Sequence, residues 1–232
     1  MSSAKRLAEP PADAVGALYF LPGQYLFKRV EAGREIAKAL SSEQIARAFR
    51  EFKTDTGWIT RRILRYREEP EGNYILSYEP ARMRTIFVET EAGEVKEIVL
   101  PLPTLILFGK RNEFYLWAAK ARNVTAKTRL AIAPLPNIGG DLSGKICFGK
   151  NEVPEARAET INSVWNLIWS APFNRDQSNN KCRSEAADVR KLLLALSEKG
   201  ARKFPASELL ETDTPLEQMW TRVVENKPYY RF

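Results

Sequence analysis

The chain has 232 residues, 44% hydrophobic and 10% aromatic, enough apolar material for a packed core and too much for a disordered chain. Its 36 Lys and Arg outweigh 29 Asp and Glu by +7, but no dense basic run concentrates the excess, so it reads as a solvated surface before a phosphate-binding one. The absence of histidine removes Ser-His-Asp and Cys-His catalysis and imidazole metal sites, and the two cysteines, Cys147 and Cys182, cannot build a disulfide framework; thiol, carboxylate, amine, amide and phenol groups remain.

In chain order, residues 1–15 are polar and proline-containing and read as a flexible tail. Residues 16–56 form an N-terminal extension. In it "GALYFLPGQYLFKRV" alternates apolar residues around Pro22-Gly23, a hairpin signal, and "SSEQIARAFREFK" has helical spacing. Ser41 and Gln44 stand at capping-box spacing, and Ile45, Phe49 and Phe52 form the apolar stripe. Residues 57–210 are read as the core, opening with "GWITRRILRYR", "NYILSYEP", "RTIFVETEAGEVKEIVLP" and "TLILFGKRNEFYLWAAK". These are short apolar or alternating runs separated by turn residues, so they are expected to form an antiparallel meander.

The stretch "PLPNIGGDLSGKICFGK" then breaks the strand pattern with glycines and carries Cys147. After it the period changes to that of helices. "PEARAETINSVWNLIWSAPF" places Ile161, Val164, Trp165 and Ile168 on one face, with Pro154 as expected start and Pro172 as expected end. Trp165 and Trp169 read as core. "SEAADVRKLLLALSEKG" is a second helix with Ser184 as expected N-cap, stripe Val189, Leu192, Leu193 and Leu196, and Gly200 as its stop. Residues 211–232 close the chain. Strands followed by helices indicate an α+β domain.

The loop and its surroundings resemble the active-site region of ubiquitin-conjugating enzymes. That family carries a Pro-Asn pair, a short turn, Gly-x-Ile-Cys and then a Thr-Ile helix. Here these are Pro136-Asn137, Gly144-Lys145-Ile146-Cys147 and Thr160-Ile161, with Thr160 at 13 residues beyond Cys147. The histidine that precedes Pro-Asn in the family is replaced by Leu135, and the Asn137–Cys147 separation of ten residues is longer than usual there. "LPLPTLILFG", "APLPN", "FNRDQSNNKCRS" and "KFPASELL" are closer to a bacterial branch, the protein B family of the PRTRC plasmid system and its relatives.

The resemblance implies an α+β ubiquitin-conjugating (UBC-like) fold, an antiparallel meander flanked by helices with the active cysteine in the loop after the sheet. It implies a transferase in which Cys147 carries a ubiquitin-like protein as a thioester and passes it to an amine on a target protein. Asn137 would stabilise the oxyanion, and Asn179, Asp176 or Asp141 would gate or orient the incoming lysine. Asn151 and Glu152 are further polar groups near the loop, Lys145 and Lys150 read as surface charges, and Cys182 as incidental. No cofactor and no metal is implied. The expected partners are a ubiquitin-like protein, an adenylating enzyme, a target protein and a JAB-type metallopeptidase of the same pathway, in some operons an antiphage one. The expected setting is the cytoplasm, with no membrane and no nucleic-acid partner expected. The alternatives are an inactive binding module of the same fold, or a plasmid-system protein that contacts nucleic acid.

Overall fold

The computed structural model describes residues 14–50, 62–69, 72–139 and 143–224, and the chain divides into two compact units, residues 1–57 and 58–232. In the first unit, β1 (Gly16–Leu21), β2 (Gln24–Glu31) and β3 (Arg34–Leu40) form an antiparallel sheet in that order. The expected hairpin is there, with Leu21 opposite Gln24 across Pro22-Gly23. The third strand escapes the periodicity because most of β3 is exposed and its residues alternate poorly. What makes it is the two-residue turn Ala32-Gly33, with φ of +50° and +75°, the paired left-handed geometry that suits tight hairpins. Helix α1 (Ser42–Arg50) follows with the capping box formed: Ser41 N–H donates to Gln44 Oε1 at 3.0 Å, and Gln44 N–H to Ser41 Oγ at 3.2 Å. The Phe49 side chain and Phe52 lie outside the described residues.

The second unit is built on a six-stranded antiparallel sheet. Its elements are β4 (Ile63–Arg67), β5 (Tyr74–Glu79), β8 (Thr104–Lys110), β9 (Glu113–Ala119), β10 (Arg129–Ile132) and β11 (Glu211–Pro215), in the order β11-β10-β9-β8-β5-β4. Both faces are covered. Ile75, Leu105, Leu107, Leu116, Ala118 and Ala131 face a core shared with α2 (Ile161–Ser170) and α3 (Val189–Glu198). Their sequence neighbours Leu76, Ile106, Phe108, Trp117 and Leu130 face Leu216, Met219 and Trp220 of α4 (Leu216–Val224). The alternation follows from the two-residue repeat of a strand.

The simple meander expected from the sequence is not what forms. β6 (Arg82–Glu89) and β7 (Val95–Leu102) leave the sheet as a separate hairpin, and β5 pairs directly with β8. The reason is burial. β8 is apolar on both sides and belongs inside a sheet covered on both faces. The hairpin instead has one apolar face, Ile86, Val88, Ile98 and Leu100, which closes over α2 and α3, while Thr85, Lys96, Glu97 and Val99 stay exposed. Glu79 at the start of the excursion gathers Arg62, Arg82 and Arg84, and the Arg84 guanidinium lies 4.1 Å over the Trp169 ring. Trp169 stacks on Trp165, whose indole N–H donates to the buried Ser77 hydroxyl at 3.1 Å.

Two helix starts differ from expectation. Pro154 does not begin α2, because residues 154–156 run along the β8–β9 turn, where Ala156 N–H donates to Arg111 O at 2.6 Å. The helix begins seven residues later, at Ile161. Ser184 does not cap α3, because its hydroxyl and backbone N–H are taken by Glu208; Asp188 caps instead, accepting from Arg190 N–H at 3.1 Å. The Arg190 guanidinium doubles back onto Asp188 and reaches the Glu89 carbonyl at 2.9 Å, tying α3 to the hairpin. Gly200 ends α3 with φ of +59°, as read. Among the described residues no helix is long and apolar enough to cross a membrane.

Two measurements check this packing. Trp165→Ala, which empties a buried site and orphans the Ser77 hydroxyl, is expected to cost about 3–5 kcal/mol in urea denaturation. Burial pushes the Asp188 carboxyl up, but its bonds to Arg190 outweigh that and hold it below the ordinary carboxylate range. Its contribution is therefore complete above the unfolded carboxylate value and is lost as pH falls through the lower folded one. Thermal melts at decreasing pH should show that acid loss, and Asp188→Asn should be less stable at neutral pH and flatter toward acid.

Candidate active site

Beyond β10 the chain enters the site through Pro134-Leu135-Pro136-Asn137. Leu135 is fully buried, so the position where the resembled family has a histidine serves packing here. Asn137 adopts φ of +59°, a left-handed conformation that asparagine tolerates better than most residues. Every backbone group of Asn137 is used: its N–H donates to Asp176 O at 2.8 Å, and its carbonyl accepts from Cys147 N–H at 2.8 Å. Its side-chain amide donates to Pro172 O at 3.1 Å, and its Oδ1 is buried without a partner.

Past Asn137 the chain runs out and back. Ile138 and Ile146 form an antiparallel bridge, both side chains buried, and Gly139 N–H donates to Lys145 O at 2.6 Å. The returning limb docks along β9 through Leu116 N–H to Gly144 O at 2.7 Å and Ile146 N–H to Phe114 O at 2.9 Å. Gly144 is required twice over: φ is +61°, and a Cβ would lie 2.8 Å from the Trp117 indole nitrogen and 2.9 Å from Leu116 O. Asp141 lies outside the described residues.

This ladder delivers Cys147 to the surface. Ile146 points into the core, and alternation along the limb turns the next side chain outward, leaving the thiol exposed. Cys147 sits on a ridge between two clefts. One, of about 210 Å³, has a floor of Ile138, Ile168 and Phe173 and holds Asn137 and Asp176. The other, of about 730 Å³ and more open, is lined by Lys145, Gln177, Asn179 and Asn180. Asn137 and Asp176 thus stand on one side of the sulfur and Asn179 on the other. Asn151 lines the first cleft, with its amide donating to Phe148 O at 2.9 Å; Glu152 lines neither cleft.

Lys145 is engaged elsewhere. Its ammonium pairs with Glu113 on β9, and that contact is the main reason the Glu113 carboxyl sits below its ordinary value. Cys182 is buried, its thiol donates to Glu185 O at 3.4 Å, and burial pushes its pKa up, so it is the less reactive of the two thiols.

Three features of the 174–188 loop escaped the sequence reading. Gln177 and Asn180 adopt φ of +50° and +56°, turning the loop so that their side chains line the second cleft. Lys181 is fully buried, with its ammonium donating to Ile138 O. The Asn179-Asn180 pair is a fair turn signal, but a lysine in a polar loop carries no sign that it will point inward.

An exposed thiol pinned at its backbone, with an amide and a carboxylate sharing its cleft, is suited to holding an acyl group and presenting it to a nucleophile. The family model for prokaryotic E2 family D matches residues 36–212, most of the chain, including the whole Asn137–Cys147 loop and both following helices. No curated protein and no solved structure matches it. The antiparallel sheet flanked by helices fits the UBC-like fold, and the chain belongs to prokaryotic E2 family D, a family with a ubiquitin-conjugating-like role.

Proposed function

We propose that the protein is an active carrier: Cys147 accepts a ubiquitin-like protein from an adenylating enzyme and transfers it to an amine on a target. The carrying observation is the exposed Cys147 thiol on its ridge, with the Asn137 amide in the adjoining cleft. In loading, the Cys147 thiolate attacks the thioester carbonyl at the modifier's C-terminal glycine, and the activating enzyme's thiolate leaves. In discharge, an uncharged amine attacks the Cys147 thioester carbonyl, the tetrahedral oxyanion forms, and collapse expels the Cys147 thiolate while the amine loses its proton to solvent or a nearby carboxylate.

The chemistry of the two clefts supports a division of labour. Asp176 gives the narrower cleft a carboxylate to draw in and orient an ammonium group, so the acceptor enters there, beside the Asn137 amide. The wider cleft offers Gly139, Gln177, Asn179 and Asn180, neutral groups suited to hydrogen-bonding an extended tail. In its resting state the Asn137 amide commits one hydrogen to Pro172 O and leaves the other for the oxyanion. Asp141 remains part of the proposal as a polar group of the same loop. We place the protein with the PRTRC-like and antiphage conjugation systems of bacteria, whose adenylating enzyme, modifier and JAB-type metallopeptidase would be its neighbours.

Incubation with activating enzyme, ATP and the cognate ubiquitin-like protein should give a reductant-sensitive adduct with the wild type and with Cys182→Ala, and none with Cys147→Ala. No adduct with any of the three identifies an inactive binding module instead. Asn137→Ala should still load, but discharge to lysine should slow by about 100- to 1,000-fold. Asp176→Asn should slow discharge to lysine while leaving loading intact, in single-turnover gels.

A further inference from the structure

Beneath the thiol loop lies a charge that the proposed reaction does not use. Lysine is almost never fully buried, yet Lys181 has 0% of its surface accessible, and its ammonium donates to the carbonyl of Ile138. Burying an ammonium carries a large desolvation cost, whereas an apolar side chain of the same length fills such a space without one. A role in packing alone therefore does not explain a lysine here. Among its contacts the lysine supplies a charged donor to the Ile138 carbonyl.

That carbonyl belongs to the residue after Asn137. Three hydrogen bonds from one neighbouring segment converge on residues 137 and 138: Pro172 O accepts the Asn137 side-chain amide, Asp176 O accepts the Asn137 N–H, and the Lys181 ammonium donates to Ile138 O. Ile138 is bridged to Ile146, and Asn137 O accepts the Cys147 N–H, so the position set at residues 137–138 passes to the thiol through backbone alone. The platform is itself braced. Asn180 N–H donates to Ala186 O at 2.6 Å and Val189 N–H to Ser178 O at 2.9 Å, joining the loop to the start of α3.

We infer that Lys181 is a positioning residue of the site: its buried ammonium, by holding the Ile138 carbonyl, helps set the placement of the Asn137 amide relative to the Cys147 sulfur. The consequence for transfer rests on the proposed carrier chemistry; the geometric role does not. Lys181 acts through Asn137 and touches no reacting atom.

The test uses the full chain as wild type, Lys181→Met, Asn137→Ala and the double variant. Cys147 is loaded by exchange with a mercaptoethanesulfonate thioester of a peptide ending in Gly-Gly, and discharged with free lysine. Lys181→Met should load at the wild-type rate and discharge about 10- to 100-fold more slowly. The double variant should be no slower than Asn137→Ala alone, since one residue works through the other. Independently of any reaction, hydrogen exchange at the Gly139 and Cys147 amides should be about tenfold faster in Lys181→Met. If Lys181→Met does not fold, Lys181→Leu, which also removes the donor, is read in the same assays. Unchanged amide exchange overturns the inference, as do discharge losses that simply multiply with that of Asn137→Ala. A wild type that loads but never discharges strikes the carrier proposal instead, and the exchange measurement alone then decides the role of Lys181.

Discussion

The hydrogen bond from Cys147 N–H to the Asn137 carbonyl, 2.8 Å long, closes an excursion of the chain at the point where it leaves the core. Around it stand the Ile138–Ile146 bridge and the docking of Gly144 and Ile146 onto β9. A loop rich in glycine would otherwise sample many conformations, at an entropic cost paid in every ordered turn. Here the two ends of the loop are held as strands, by the sheet on one limb and by the 172–181 segment on the other. Reactivity and rigidity thus meet at adjacent residues: the Ile146 side chain is buried, and Cys147 is held by its backbone with its thiol exposed.

The rest of the unit serves that anchor. β9 must be an interior strand to offer Phe114 and Leu116 backbone groups to the loop while its Trp117 and Ala118 pair with β10. Its side chains are apolar on both faces, so both must be covered, and α2 and α3 cover one face while α4 covers the other. The β6–β7 hairpin then seals α2 and α3 from outside. It also reaches the platform directly, since Phe173 N–H donates to Phe87 O at 2.8 Å and Glu89 N–H to Phe173 O at 3.0 Å, one residue beyond the Pro172 carbonyl that holds the Asn137 amide. Packing far from the thiol is in this way connected to the orientation of the group beside it.

Much of the layout of the candidate site was legible. Pro-Asn, Gly-x-Ile-Cys and a Thr-Ile helix are local features, and the structure brings Asn137, Cys147 and Asp176 to one cleft and Asn179 to the next. The capping box at Ser41 and the stop at Gly200 were legible for the same reason, because a cap depends on residues three or four positions apart. The start of α3 was misread at Ser184 because Glu208, 24 residues away, competes for that serine. The start of α2 was misread at Pro154 because residue 156 is drawn to the β8–β9 turn. In both cases a distant partner overrode a sound local preference.

By itself the sequence determined the strand and helix periods, the turns that demand glycine or asparagine, a cysteine closing the glycine-rich loop and the exclusion of imidazole chemistry. These are properties of nearest neighbours along the chain. Only the tertiary structure decided that β5 pairs with β8 over the head of a hairpin, that Cys147 faces solvent between two clefts while Cys182 is buried, and that Lys181 points inward. Each of those depends on which apolar surfaces meet and which carbonyls are left needing a donor, and neither is written in the spacing of residues.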